Sequence, residues 1–367
     1  MKKYFKIGLD VDDILFSCNE YAVSLANQEY SFVPPMTVEE IQSWGRTGKR
    51  TDVLLDYYRR EDFVRNQPLF PGATEFVKEL SRRAEVFFIT ALPPHLMGIR
   101  AARLMEAFPM VPGENIIMGF RKELMNVDML LDDGGHNISA SSSAYPVLMR
   151  RPWNRHMTGC ISVNNYEEFL TFLDILMNPA AYQWEEKAGG RVIALIGPSG
   201  SGKTRIMETL MENGNAVRAK SYTTRGPKGD EEKDAYHFVT QEEFDRMEQA
   251  GEFFETTRYA ENSYGSVLKD IQDILEQGKD AVMAVDICGG IALKRAFRKQ
   301  ALLAFTERPK EKLIAAVLGR ECSEEEKIKR IVSLDTELRN EEFCDLTVQS
   351  AGDLLRKSER GGKEKTI

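Results

Sequence analysis

A chain of 367 residues, 42% of them hydrophobic and 29% charged, is long enough for two domains that each bury a core. Its formal net charge of −8 argues against nucleic acid or an anionic membrane surface as a partner. No run is long and apolar enough to span a bilayer, acidic residues interrupt the N-terminal apolar run before a secretory core forms, and five scattered cysteines suit reduced thiols, so a cytoplasmic protein is expected.

The first strand is expected over residues 4–9, and it delivers Asp10, Val11, Asp12 and Asp13 at its C-terminal end, where ligands of open α/β sheets gather. Residues 17–69 carry amphipathic helical patterns with Trp44, Tyr57, Tyr58 and Phe63. Trp44 and Phe63 are candidates for stacking on a base, although an aromatic residue on a helix more often belongs to a core. A second apolar run, 85–90, ends in Thr90, and a third, 128–133, ends in Asp132 and Asp133, with Arg121 and Lys122 upstream. Asp, Thr and paired Asp at three strand ends, with a lysine nearby, supply what phosphoester hydrolysis on a carboxylate nucleophile requires. Carboxylates hold Mg²⁺, the hydroxyl and lysine hold phosphoryl oxygens, and one aspartate attacks phosphorus.

Through Asp10 to Asp13, Pro68 to Ala73, Phe88 to Thr90, Lys122 six residues before Asp128, Leu131 to Asp133 and Arg151 to Asn154, the stretch 4–156 resembles the haloacid dehalogenase (HAD) superfamily. Within it, the resemblance is to the 5′(3′)-deoxyribonucleotidases. The resemblance implies Asp10 as nucleophile and Asp12 as general acid and base, with Thr90 and Lys122 on the phosphoryl group. It also implies a Mg²⁺ site of Asp10, the Asp12 carbonyl, and Asp132 or Asp133, and a small helical cap over about 17–69. The cap carries no motif for base or sugar preference, and a phosphoester other than a nucleotide is the alternative substrate.

A helical pattern over 166–177 is followed by Asn178, Pro179 and, at the far end of a polar stretch, Gly189 and Gly190. This places a first domain at 1–178 and a linker at 179–190.

The apolar, β-branched run 191–196 then leads into Gly197, Pro198, Ser199, Gly200, Ser201, Gly202, Lys203 and Thr204, which reads G-x-x-x-x-G-K-[ST] ahead of a helical pattern. Gly200 and Gly202 leave room for backbone N–H groups to close on phosphate oxygens. Lys203 can reach the β- and γ-phosphates of ATP, and Thr204 can ligate Mg²⁺.

Downstream come Ser221 to Lys228, Tyr236 to Phe238, Gly251 to Glu255, and Asn262 to Ser266. With the phosphate loop, these ordered blocks resemble guanylate kinase over about 191–350. The resemblance implies that Ser221, Arg225, Lys228, Tyr236 and Tyr264 bind the GMP phosphate, while Glu255, Ser266 and Asp286 read guanine. A carboxylate suits the N1–H and exocyclic amine of that base. Arg320 and Arg330 lie in a charged helical stretch resembling the family's lid, where arginines neutralise charge developing in transfer. Lys228 stands where a second arginine is usual, Cys288 where glutamine is, and Ala284 where an acidic residue is common. Guanylate-kinase folds also serve as protein-binding scaffolds, but these can dispense with a phosphate loop, and Lys203, Thr204 and Arg225 are all present. Residues 351–367 are expected to be a polar tail.

The fold expected is therefore α/β throughout: a HAD-like Rossmannoid domain with a small helical cap, then a P-loop domain of guanylate kinase type. Its partners are small nucleotides.

Overall fold

The computed structural model describes residues 5–43, 45, 47–155, 157, 159–186, 189–213, 215–227, 236–259 and 262–355. They form two compact units, Met1–Leu170 and Thr171–Ile367.

In the first unit, strands β1 (Lys6–Leu9), β2 (Glu85–Thr90), β3 (Ile116–Met118), β4 (Met129–Asp132), β5 (Tyr145–Met149) and β6 (Ser162–Val163) make one sheet in the order β3-β2-β1-β4-β5-β6. Every pairing in it is parallel. A parallel sheet is covered on both faces, which is why β4 is buried at every position and reads as continuous apolar sequence up to Asp132. Gly8 serves the close packing: a Cβ there would lie 2.5 Å from Ile89 Cδ1. Strand order reverses at β1, so the C-terminal ends of β1, β2 and β4 meet at the crevice such sheets use for ligands.

Helices α1 (Cys18–Tyr30), α2 (Leu54–Tyr57) and α3 (Glu61–Asn66) build the cap, and α4 (Ala73–Arg83) returns the chain to the sheet. Ala22, Val23, Met36, Leu54, Tyr57 and Val64 form the cap core. Phe63 belongs to that core: it is 1% exposed, with its ring 5.3 Å from that of Tyr21 and 5.8 Å from that of Tyr58. It is therefore not available to stack on a base, whereas Trp44 lies outside the described residues. Helices α5 (Met97–Ala107) and α6 (Gly135–Ala140) complete the layers, and α7 (Tyr166–Met177) contains the division between the units.

The second unit begins with the end of α7 and α8 (Pro179–Tyr182). Buried Lys294 donates to Tyr182 O at 2.7 Å and to Ala301 O at 2.8 Å, and it pairs with Asp345 at 2.7 Å. Trp184 N also donates to Asp345, so the stretch expected as a connection is tied to this unit at its N-terminal part. The core sheet, order β15-β14-β7-β13-β8, is parallel. It consists of β7 (Val192–Ile196), β8 (Ala216–Arg218), β13 (Asp280–Ala284), β14 (Ala301–Thr306) and β15 (Leu346–Val348). A second sheet, β10-β9-β12-β11, is made of β9 (Ser221–Thr223), β10 (Tyr236–Phe238), β11 (Phe253–Tyr259) and β12 (Asn262–Val267).

Helix α9 (Lys203–Glu212) follows β7, α10 (Gln241–Gln249) follows β10, α11 (Leu268–Glu276) follows β12, α12 (Ile287–Phe297) follows β13, and α13 (Lys310–Leu318), α14 (Glu324–Val332) and α15 (Leu334–Arg339) lie between β14 and β15. The polar tail expected from 351 starts later than its composition suggests. Ala351 and Leu354 are 5% and 0% exposed in the core beside β7, because two well-spaced apolar residues suffice to dock a turn of helix. Residues 356–367 lie outside the described residues.

Candidate active sites

Asp10 follows β1 directly, its N–H still donating to Leu131 O at 2.8 Å, so its carboxylate begins where the sheet ends. Lys122, carried on a short 3₁₀ turn, places Nζ 2.8 Å from Asp10 Oδ1 and 2.8 Å from Asp132 Oδ2. Asp132 also accepts from Gly134 N at 2.7 Å and from Asn137 Nδ2. Asp133 accepts from Trp153 Nε1 at 2.7 Å, and Asn154 Nδ2 donates to its carbonyl. Thr90 ends β2 fully buried, and its Oγ1 has no hydrogen-bond partner among the described residues.

Burial is the main reason that Asp10 and Asp133 are both held well above the usual carboxylate range; the Asp132 charge adds to it and Lys122 opposes it. For Lys122 burial acts downward, but Asp10 and Asp132 outweigh it and the ammonium is strengthened. Ligand atoms of Asp10, Asp132 and Asp133 lie within 4.8 Å of one another. Hard oxygens crowded in a buried, negatively charged cluster fit Mg²⁺, whose charge offsets what burial makes costly. The Asp12 carboxylate stands apart from this trio, paired with Arg100 at 2.7 Å; the resemblance assigned its main-chain carbonyl, not its side chain, to the metal.

Asp13 adopts φ 55° and caps the start of α1, accepting from Cys18 N, Asn19 N and Asn19 Nδ2. Burial pushes it up to about 8, against the hydrogen bond from Asn19.

In the second unit the loop from β7 to α9 needs glycine for its backbone: Gly197 has φ 143° and Gly202 φ 99°, and a Cβ on Gly197 would lie 2.5 Å from Thr306 Oγ1. Lys203 Nζ donates to the carbonyls of Gly197 and Pro198, the latter at 2.9 Å. Burial lowers Lys203 to about 8, with Glu337 opposing and Arg320 and Arg330 assisting. Thr204 is exposed on the first turn of α9. Arg330 Nη1 donates to Ser199 Oγ at 2.6 Å, which puts α14 against the loop, and Arg320 is exposed.

Two supports of this loop carry no motif. Thr306 Oγ1 donates to Ile196 O at 2.8 Å, leaving Ser201 Oγ to donate to it at 2.7 Å, and Arg308 donates to Gly200 O. Only their position at the end of β14, next to β7, could have pointed to them.

Glu255 and Ser266 are register partners on β11 and β12, and Ser266 Oγ also lies 3.1 Å from Ser221 Oγ. Asp286 caps α12 by accepting from Gly289 N at 2.8 Å. A Cβ on Gly289 would lie 3.1 Å from Glu255 Oε2, so the glycine brings the start of α12 onto that carboxylate. Burial, then Asp286, raises Glu255 to about 7, with the Ser266 hydrogen bond opposing. Arg225 stacks 5.5 Å from the Tyr236 ring, whose neighbour at 6.2 Å is Tyr264. Glu255, Ser266, Ser221 and Asp286 thus form one group, and Arg225, Tyr236 and Tyr264 another. Lys228 lies outside the described residues. Ala284 ends β13 exposed, and Cys288 sits on the first turn of α12.

Residues 189–353 match the family model of guanylate kinase, and residues 4–177 match that of 5′ nucleotidase, deoxy (Pyrimidine), cytosolic type C protein. The guanylate kinase of Aster yellows witches'-broom phytoplasma is 34% identical over 155 residues, 41% of this chain and 74% of that protein. That of Fusobacterium nucleatum is 30% identical over 182 residues, 47% of this chain and 98% of its own. A haloacid dehalogenase-like family hydrolase from Streptococcus pneumoniae covers 47% of this chain and 100% of its own, at 12% identity and a TM-score of 0.31. The chain belongs to the guanylate kinase family, and its residues 4–177, N-terminal to that domain, match a 5′ nucleotidase family model. It is a two-domain enzyme of nucleotide metabolism. No helix among the described residues is long and apolar enough to cross a membrane.

Proposed function

We propose that the first unit hydrolyses nucleoside 5′-monophosphates through an aspartyl phosphate on Asp10, and that the second transfers a phosphoryl group from ATP to GMP or dGMP. The observation that carries the first half is Lys122 bridging Asp10 and Asp132, together with a buried Thr90 hydroxyl at the end of β2 that has no hydrogen-bond partner among the described residues. Lys122 and Thr90 would hold the phosphoryl oxygens while Asp10 attacks phosphorus, Asp12 protonates the departing ribose oxygen, and Asp12 then takes a proton from the water that releases phosphate. Asp10, Asp132 and Asp133 would hold Mg²⁺, which screens the charge of nucleophile and phosphoryl group.

For the second half, the phosphate loop from Gly197 to Thr204 would hold the ATP phosphates, with Thr204 towards Mg²⁺ and Arg320 and Arg330 towards the transferring group. Glu255, Ser266 and Asp286 would read guanine, and Ser221, Arg225, Tyr236 and Tyr264, with Lys228, would hold the acceptor phosphate. The phosphate loop supports turnover over a scaffold role. Two activities on GMP would waste ATP in a cycle. The nucleotidase is therefore assigned to another monophosphate, a deoxypyrimidine one, a reading supported by the family that residues 4–177 match.

The test is a substrate panel. ADP formation with GMP, dGMP, AMP and UMP should single out guanine, and phosphate release should favour dUMP or dTMP over GMP. A nucleotidase preference for GMP overturns the division of substrates, and no kinase turnover with any acceptor moves the second unit to a sensing or scaffold role.

A further inference from the structure

Arg100 lies on α5, outside every motif, and is 1% exposed. Its Nη2 donates to Asp12 Oδ1 at 2.7 Å and to Gln67 Oε1 at 2.7 Å. Gln67, also 1% exposed, returns Nε2 to the same Asp12 Oδ1 at 3.2 Å. Both of these hydrogen bonds therefore fall on one oxygen of Asp12. The clamp is itself held: Arg103, one turn along α5, donates to Gln67 O at 2.7 Å, and both arginines lie over the Phe16 ring, at 5.0 and 5.2 Å.

Stability alone does not account for this arginine. Nε and Nη1 are buried without a hydrogen-bond partner among the described residues, and each such group bears the cost of desolvating an unpaired donor. An apolar residue of similar volume avoids that cost, and exchanging a buried ion pair for apolar side chains is often neutral or stabilising. Among the described residues of the first unit, the two buried cations also divide the carboxylates between them: Lys122 serves Asp10 and Asp132, and Arg100 serves Asp12.

We propose that Arg100, braced by Gln67, is a positioning residue that pins Asp12 through Oδ1 and so presents Oδ2 as the oxygen that exchanges protons with the substrate. The inference rests on the reading of the first unit as an aspartyl-phosphate nucleotidase. In the first step Asp10 forms a bond to phosphorus, the ester P–O bond breaks, and the proton on Asp12 Oδ2 passes to the leaving ribose oxygen. In the second, water adds to phosphorus, its proton passes to Oδ2, and the Asp10–phosphate bond breaks, so that one water is consumed and alcohol and phosphate are released. A protonated Asp12 keeps the clamp, because Oδ1 still accepts. Free rotation of the carboxyl would lose the alignment on which such catalysis depends.

The experiment compares kcat/KM for dTMP, whose leaving O5′ of deoxyribose needs a proton, with that for p-nitrophenyl phosphate, whose leaving group departs as a stable anion. Arg100→Met should lower the dTMP value about 100-fold, within the range of general acid catalysis, and the p-nitrophenyl phosphate value less than about threefold. Arg100→Lys should recover part of the dTMP loss, since it keeps the charge without the planar fork. If Arg100→Met fails to fold, Gln67→Leu decides the matter, with a smaller loss of the same selectivity. An equal fall on both esters, at unchanged melting temperature, overturns the positioning role and leaves the nucleotidase reading intact. A wild-type protein that hydrolyses neither ester overturns both, and Asp10→Asn, inactive on both, marks the background.

Discussion

Ser266 Oγ donates to Glu255 Oε1 at 2.9 Å across the paired strands β11 and β12, so the carboxylate expected to face guanine is already oriented from its own sheet. Burial raises Glu255 to about 7, and only its ionised form offers two acceptors to the N1–H and amine of the base. Affinity for GMP should therefore rise as pH increases through about 7, with proton release on binding below that value. Stability should move the other way. A carboxyl that binds its proton more tightly when folded stabilises the fold at low pH, and that contribution is lost as pH rises from the unfolded value towards 7. Calorimetric titration of GMP at pH 6 and pH 8, in buffers of different ionisation enthalpy, measures both affinity and proton count. Glu255→Gln should weaken GMP about 10- to 100-fold and flatten this pH dependence.

Removing the Lys122 ammonium leaves the buried Asp10 and Asp132 carboxylates without their shared counter-charge. Lys122→Met should destabilise the first unit by about 3–5 kcal/mol in the absence of divalent cations, the usual cost of stripping one partner from a buried ion pair. Mg²⁺ should recover part of this, and chelation should remove the recovery. Thermal melting with Mg²⁺ and with EDTA reads the effect, and a variant whose melting ignores Mg²⁺ would contradict the assignment of that trio.

Thr306→Val deletes the donor to Ile196 O and the acceptor of Ser201 Oγ beneath the phosphate loop. The expected cost is about 1–3 kcal/mol, through polar groups left unpaired. Because the loop itself loosens, KM for ATP should rise several-fold while KM for GMP stays put. Initial rates varied in each substrate separate the two.

How far the sequence reveals this protein depends on whether a function is written in contiguous residues. The run from Gly197 to Thr204 occupies the strand-to-helix turn that its pattern demands, and the strand ends bearing Asp10, Thr90 and Asp132 meet because parallel order brings β1, β2 and β4 side by side. Glu255 and Ser266 were legible through family resemblance, though their direct contact arises only from strand register. Arg100, Gln67, Thr306 and Arg308 were not legible. Each acts on a residue far away in the chain, such as Arg100 on Asp12 across 88 positions, and helical or strand periodicity marks such residues only as buried. Phe63 shows the converse: an aromatic in a cap has the same pattern whether it meets a base or, as here, Tyr21 and Tyr58.

The central claim, two separate catalytic units in one chain, is tested most directly by measuring both activities on two variants. Asp10→Asn should lose phosphate release from dTMP by about a thousandfold or more and keep ADP formation with GMP within about twofold, and Lys203→Ala should show the reverse pattern. Loss of both activities in either variant, at unchanged melting temperature, would contradict the account.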